Sequence, residues 1–243
     1  DVTEAFHKKF PQRHFDPGIC EQHAIGLALG LATAGLKPVV ALYSTFLQRA
    51  YDQVFQEICL QDAPVLIAID RAGLVGSDGP THHGVFDISY LRHLPGLTLM
   101  APKDAPELHR MLAAAIAWAR PCAIRFPREC VPDDFPSCPP IEWGKAEVIR
   151  TGPAGTIIAY GSMVWRAMQA ADILARDGMD VTVVNARFAK PLDTGTILAH
   201  IEKAPATLIV EDGALAGGFG SAVLEAMAAN GVPARRLKLL GVP

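Results

Sequence analysis

The 243-residue chain exceeds one average domain and fits two; half its residues are apolar and under a fifth charged, enough to fill buried cores and contrary to disorder. A formal net charge of -3 leaves no basic footprint for nucleic acid. No apolar run reaches the roughly 18 residues of a membrane span and no charged-then-apolar leader is evident, so a soluble cytoplasmic protein with no membrane partner is expected, or a plastid one from a plant or alga.

The first predicted helix, Glu21–Ala34, is opened by Glu21 and rich in Ala, Leu and Gly, which suits tight packing. A short strand is expected around Phe15, just before it. Pro38–Tyr43 reads as a strand, and Thr45–Gln61 as a helix. Pro64–Asp70, Leu97–Ala101 and Cys122–Phe126 are further strands, each short and bounded by Pro, Gly or charge, as strands buried on both faces should be. Between the last two lies a helix over Asp104–Ala119, with Asp104 as its N-cap and Leu108, Met111, Leu112, Ala115 and Ile116 as its buried stripe. Pro127, Pro132, Pro136, Pro139 and Pro140 then break the pattern and mark a linker. Beyond it come strand Thr156–Tyr160, helix Met163–Asp177, strand Val181–Asn185, helix Thr194–Lys203, strand Thr207–Glu211 and helix Gly220–Ala229. The whole is an α/β chain of two parallel-type sheets flanked by helices, the second with room for a mixed sheet. The chain opens at Asp1 without methionine and stops where a strand gives way to a loop at Leu239–Pro243, so it reads as a piece of a longer protein.

Five cysteines, Cys20, Cys59, Cys122, Cys130 and Cys138, are odd in number, and no two are spaced Cys-x-x-Cys. That pattern points to reduced thiols rather than a disulfide framework or a zinc site.

Open α/β sheets bind ligands beyond the carboxyl ends of their strands. Tyr43–Phe46 and Asp70–His83 each follow a predicted strand directly, and Glu21 can share their rim. Alone, Glu21 has an ordinary reading as an acid favouring a helix N-terminus. The loop Arg71–Gly84, with four glycines and hardly any bulky apolar side chain, is either a surface turn or a flexible loop presenting Arg71, Asp78 and His82 to a small anion. His82 and His83, adjacent on an extended chain, point to opposite sides, and no Cys or carboxylate completes a metal set. Strand alternation sends Arg125 and Arg128 to different faces, one to the rim and the other to solvent. Paired with Arg71, a rim arginine makes a bidentate clamp for phosphate or carboxylate. Gly213–Gly220 precedes a helix but lacks a P-loop ending and the right G-x-G-x-x-G frame, which favours a tight packing turn.

The segments Gly18-Ile19-Cys20-Glu21-Gln22-His23-Ala24, Lys37 to Gln53 and Ile69-Asp70-Arg71-Ala72-Gly73-Leu74-Val75-Gly76 resemble the 1-deoxy-D-xylulose-5-phosphate synthases, a thiamine-diphosphate-dependent family of the transketolase superfamily. So do Asp78-Gly79-Pro80-Thr81-His82-His83-Gly84, Ile124-Arg125-Phe126-Pro127-Arg128 and Gly217-Gly218-Phe219-Gly220. The resemblance runs nearly end to end. It implies a pyrimidine-binding domain over residues 1–135, a Pro-rich linker over 136–143 and a C-terminal domain, incomplete at its end, over 144–243. It also implies a homodimer, with Mg²⁺ ligands on an N-terminal domain that is not in this sequence.

In that family Glu21 would bond the pyrimidine nitrogen, with Ile19 and Phe46 also on the cofactor side. Tyr43, Arg71 and Arg128 would hold the phosphate, Asp78 an acceptor hydroxyl, and His82 would stabilise charge or move a proton. The reaction implied is decarboxylative condensation of pyruvate with D-glyceraldehyde 3-phosphate, feeding isoprenoid, thiamine and pyridoxal biosynthesis. Pro17, Phe126 and Glu129 depart from the family's usual Val, Tyr and Gly, and Glu129 places a negative charge beside Arg128. The rival readings are the β subunit of a 2-oxo acid dehydrogenase and a non-catalytic assembly module of the same fold.

Overall fold

A computed structural model describes residues 3–129 and 139–243. In chain order the elements are α1 (Glu4–Lys9), α2 (Glu21–Thr33), β1 (Val39–Tyr43), α3 (Ser44–Leu47), α4 (Tyr51–Gln53), β2 (Leu66–Asp70), α5 (Asp87–Leu91), β3 (Thr98–Met100), α6 (Ala105–Trp118) and β4 (Cys122–Arg125). There follow β5 (Glu147–Pro153), β6 (Thr156–Ala159), α7 (Met163–Arg176), β7 (Val181–Asn185), β8 (Phe188–Lys190), α8 (Thr194–Lys203), β9 (Thr207–Ala214), α9 (Phe219–Ala229) and β10 (Leu237–Val242). Pro132 and Pro136 of the expected linker, with Cys130 and Cys138, lie outside the described residues. Among the described residues no helix is long and apolar enough to cross a membrane.

Two five-stranded sheets form, in the orders β1-β2-β4-β3-β8 and β10-β9-β6-β7-β5. The first four strands of the first sheet are parallel, with both faces covered, and β2 and β4 are buried almost throughout, as their continuous apolar sequences require. Register fixes the rim: Tyr43 lies opposite Asp70, and Ile69 opposite Arg125. The carboxyl ends of β1, β2 and β4 therefore release residues 43–44, 70–71 and 125–126 side by side.

Both sheets are mixed. In the second, β5 runs antiparallel to β7; in the first, β8, from beyond the linker, pairs antiparallel with β3 through Leu99 and Lys190. The cores merge likewise, with Tyr160 stacked on Phe219 at 4.9 Å within one apolar cluster that also holds Ile25, Ile69 and Leu99.

Three expectations change on folding. No strand forms around Phe15, which is exposed. The helix expected over Thr45–Gln61 is broken into α3, a 3₁₀ turn at Gln48–Ala50, α4 and a π-helical stretch at Val54–Cys59. Leu47, Ala50, Val54 and Ile58 are nonetheless fully buried, so the apolar stripe continues while the hydrogen-bond register shifts beneath it. In α6, Asp104 caps the helix by accepting from Glu107 N at 2.7 Å, and Met111 and Ala115 are buried, but Ile116 is exposed. The helix buries Glu107 instead, which Arg187 Nε meets at 2.7 Å and Lys103 Nζ at 3.4 Å.

Candidate active site

Glu21 stands at the first turn of α2, whose N-cap residue Cys20 offers no side-chain cap. The residue is 6% exposed, and its carboxylate makes no hydrogen bond or ion pair among the described residues. It lines an open cavity of about 460 Å³ with Ile19, Thr45, Phe46, Gln48 and Arg49. Thr45 Oγ1 is also buried without a partner. Thr45 Oγ1, buried without a bond, calls for an occupant able to bond it, and the Glu21 carboxylate on the same open wall can accept a hydrogen bond from that occupant. The sequence signals that single out Ile19, Glu21 and Phe46 thus converge on one cavity, while Thr45, Gln48 and Arg49 were passed over although they lie in the same aromatic block.

From this cavity a stack runs to the Gly-rich loop. Phe46 lies 5.4 Å from the His82 ring and 5.2 Å from Tyr43, and Arg71 Cζ sits 4.1 Å from the Tyr43 centroid. His82 Nδ1 is 2.9 Å from Thr81 Oγ1, whereas His83 Nδ1 accepts from Val75 N at 3.1 Å. The adjacent histidines therefore do different work, one on the site side and one inside the loop. Arg71 Nη1 reaches Asp78 Oδ2 at 2.5 Å, and Arg128 Nη1 reaches Asp78 Oδ1 at 2.6 Å. The Arg128 hydrogen bond, then the neighbouring cationic charges, hold the Asp78 carboxyl below its ordinary value. Arg71 and Arg128 thus form a clamp whose present occupant is a carboxylate, the geometry that an oxyanion of phosphate would take over.

The family description "Transketolase, pyrimidine binding domain" matches residues 1–133, and "Transketolase, C-terminal domain" matches residues 144–243. The chain belongs to the transketolase family. It is 53% identical over 241 residues to 1-deoxy-D-xylulose-5-phosphate synthase 1 of Geobacter sulfurreducens, a match covering 98% of this chain and 38% of that protein. The 1-deoxy-D-xylulose-5-phosphate synthase of Gloeobacter violaceus is 50% identical over 240 residues, with 97% and 38% covered. The chain thus spans 38% of the length of these curated relatives. A solved structure described as "Split gene transketolase, inactive beta4 tetramer" superposes with a TM-score of 0.90 at 30% identity, covering 100% of this chain and 81% of that one. A transketolase mutant from Pichia stipitis, at 23% identity and a TM-score of 0.70 over 80% of this chain and 30% of its own, shares the fold.

One feature of this transketolase-family chain departs from the strand-alternation reading. Arg125 does not reach the rim or solvent; it is buried, donating from Nε to Asp87 Oδ2 at 2.9 Å and from Nη2 to the Asp212 carbonyl at 2.9 Å. Burial opposes its charge, yet the Asp87 carboxylate more than offsets this and raises the guanidinium above its ordinary value. Arg128, the neighbour on the other face, is the half-exposed member of the clamp. Glu129 turns from Arg128 to Arg166 of α7, at 3.2 Å.

The Gly213–Gly220 turn is a packing device, as its sequence favours. Glu211 accepts from Phe219 N and Gly220 N, both at 2.7 Å, so those amides at the start of α9 already hold a carboxylate. A Cβ on Gly218 would strike that same Glu211 side chain. Among the described residues no group of His, Cys, Asp or Glu is arranged to hold a metal ion.

Proposed function

We propose that this chain carries the pyrimidine-binding and acceptor-binding parts of a 1-deoxy-D-xylulose-5-phosphate synthase, condensing pyruvate with D-glyceraldehyde 3-phosphate to give 1-deoxy-D-xylulose 5-phosphate and CO₂. The observation that carries the proposal is the unpartnered Glu21 carboxylate in a cavity joined by the Phe46–Tyr43–Arg71 stack to the Arg71–Asp78–Arg128 clamp. An aminopyrimidine fits the first part: its ring nitrogen can share a proton with the Glu21 carboxyl, its flat face matches Phe46, and Thr45 Oγ1 offers a further polar partner. Thiamine diphosphate, when bound, would supply the nucleophilic carbon and the electron sink for decarboxylation.

In this reading Glu21 would hold the pyrimidine ring nitrogen of that group and fix where its proton sits. Ile19 and Phe46 cover the ring. Arg71 and Arg128 take the acceptor phosphate, with Tyr43 setting the plane of Arg71 beneath it. Phosphate binding frees Asp78 from one or both arginines and makes it available to an acceptor hydroxyl. With Nδ1 beside Thr81 Oγ1 and its ring against Phe46, His82 keeps Nε2 to hold or move a proton at the acceptor oxygen.

We assign residues 1–135 to the pyrimidine-binding domain, 136–143 to the linker and 144–243 to the C-terminal domain. We place the Mg²⁺ ligands in the relatives' remaining length. The protein is assigned to the cytoplasm as a homodimer; unpaired thiols at Cys59 and Cys122 support a reducing compartment.

The test is the full-length protein supplied with thiamine diphosphate, Mg²⁺ and pyruvate, with CO₂ release followed on adding different acceptors. Release that rises sharply with D-glyceraldehyde 3-phosphate, and yields 1-deoxy-D-xylulose 5-phosphate, supports the proposal. Transfer to a lipoyl group instead would make the chain a 2-oxo acid dehydrogenase β subunit, and no turnover with either would leave an assembly module.

A further inference from the structure

The loop that carries Arg71, Asp78 and His82 belongs in sequence to the first sheet, yet its roots are held by a strand of the second. Gly73 and Gly84 close the neck, exchanging backbone hydrogen bonds at 2.7 and 2.8 Å. Just inside the neck, Leu74 N donates to Asp212 Oδ1 at 3.2 Å, and Asp212 lies near the end of β9. Just outside it on the other side, Ala214 N of the same strand donates to Val85 O at 2.8 Å. Two residues further on, Asp87 is tied through Arg125 to the Asp212 carbonyl. One short stretch of β9 therefore grips both ends of the loop.

The fit at Gly73 is close enough to demand glycine twice over. Its φ is +82°, and a Cβ built there would fall within the Asp212 carboxylate. Asp212 is 8% exposed, and burial pushes its carboxyl above the ordinary value although Arg125 opposes this. A buried carboxylate with one backbone donor is expensive to retain in a core unless it holds something in place. What it touches is the loop neck, not the cavity or the clamp.

We propose that Asp212 is a positioning residue: from the second sheet it anchors the neck of the Gly73–Gly84 loop, and so sets where Asp78 and His82 meet the phosphorylated acceptor beside Arg71. The catalytic part of this inference rests on the proposed synthase activity; the anchoring part does not. A one-ångström shift in a positioning element can cost on the order of 100-fold in rate, so the consequence should be measurable. Because Glu21 and the rest of its cavity wall come from Ile19, α2, α3 and the turn Gln48–Ala50, none of them within the loop, the cofactor side should not register the change.

The experiment uses the full-length protein with Asp212→Leu, Asp212→Asn and, from the other side of the contact, Gly73→Ala. Asp212→Leu keeps the branched shape, somewhat larger, and loses the acceptor; Asp212→Asn keeps an oxygen for Leu74 N. Amide hydrogen exchange over residues 74–84 should rise at least about tenfold in Asp212→Leu and in Gly73→Ala, with α2 unchanged, and stay within about threefold of the parent in Asp212→Asn. The KM for D-glyceraldehyde 3-phosphate should rise about tenfold or more in the first two variants, while exchange of the cofactor C2 proton is unaffected.

Unchanged loop protection in Asp212→Leu overturns the anchor, and if that variant does not fold, unchanged protection in Gly73→Ala does so. Loosened loops without the change in KM would keep the anchor and instead refute the acceptor role of the loop. Failure of Asp212→Asn to rescue would mean that the charge, rather than the bond to Leu74, does the holding, and would overturn the proposal as stated.

Discussion

Arg71→Ala tests the acceptor clamp most sharply, because the structure isolates what the substitution removes. The left-handed φ of +56° at Arg71 is already borne by a residue with a Cβ, so alanine adds no backbone strain there. Asp78 keeps Arg128 at 2.6 Å, so no carboxylate is stranded. Two contacts disappear: the guanidinium over Tyr43 at 4.1 Å and the hydrogen bond from Nη1. Under the proposed function that hydrogen bond would pass to the acceptor phosphate, and a bond to a charged group contributes about 1.5–3 kcal/mol. Since roughly 1.4 kcal/mol is tenfold, KM for D-glyceraldehyde 3-phosphate should rise about 10- to 150-fold. Arg128→Ala should cost less, because its side chain is 53% exposed and its charge is screened. Steady-state kinetics on the full-length protein, varying each substrate in turn, reads this directly. KM for pyruvate should barely move, and an unphosphorylated aldehyde should react almost equally with variant and parent. A rise confined to the pyruvate constant would refute the assignment and move both arginines to the donor side.

Burial pushes the thiols of Cys59 and Cys122 up to about 11, so at pH 8 iodoacetamide should label the exposed Cys20 and leave these two intact until denaturant is added; mass spectrometry of the labelled peptides decides it. Asp87→Ala should strand the buried Arg125 charge and lower stability by about 3–5 kcal/mol in denaturant unfolding, whereas a double change to apolar residues of similar volume should cost much less. The Asp78 carboxyl is held down in the folded state, so its contribution is fully present above the ordinary value of 3.8 and fades only as pH falls through the lower folded value. A carboxyl-carbon titration followed by NMR should therefore show Asp78 ionised at pH 4; a midpoint at or above 3.8 would contradict the bridge to Arg71 and Arg128.

Much of the site was legible because its residues lie beside short apolar runs whose ends are marked by Pro, Gly or charge. Tyr43 and Asp70 were placed on one rim from such ends alone, and the parallel register sets them opposite each other. His82 and His83 do take different partners, but because His82 ends a 3₁₀ turn over Pro80–His82 and His83 leaves it, not because the chain is extended there. What escaped depends on partners distant in sequence. Alternation at Arg125 and Arg128 separates two faces, but the Asp87 carboxylate makes one of those faces interior. β8 has only three residues, and its pairing with β3 across the linker gives no local periodicity to read. The breaks after α3 are hidden for the opposite reason: Leu47, Ala50, Val54 and Ile58 keep helical spacing whatever the backbone hydrogen bonds do. Asp212 sits one residue past the expected end of its strand, and the neck it grips lies far upstream in sequence.

The central claim is that Glu21 activates a thiamine cofactor through its pyrimidine ring. The direct measurement is hydrogen–deuterium exchange at C2 of thiamine diphosphate bound to the full-length protein, compared between parent and Glu21→Ala. General acid–base assistance contributes about 10²- to 10⁴-fold, so the exchange rate should fall by that factor while the circular dichroism spectrum and the melting temperature stay near those of the parent. An unchanged exchange rate in a folded, cofactor-loaded Glu21→Ala protein would reduce Glu21 to a charge at a helix end and contradict the account.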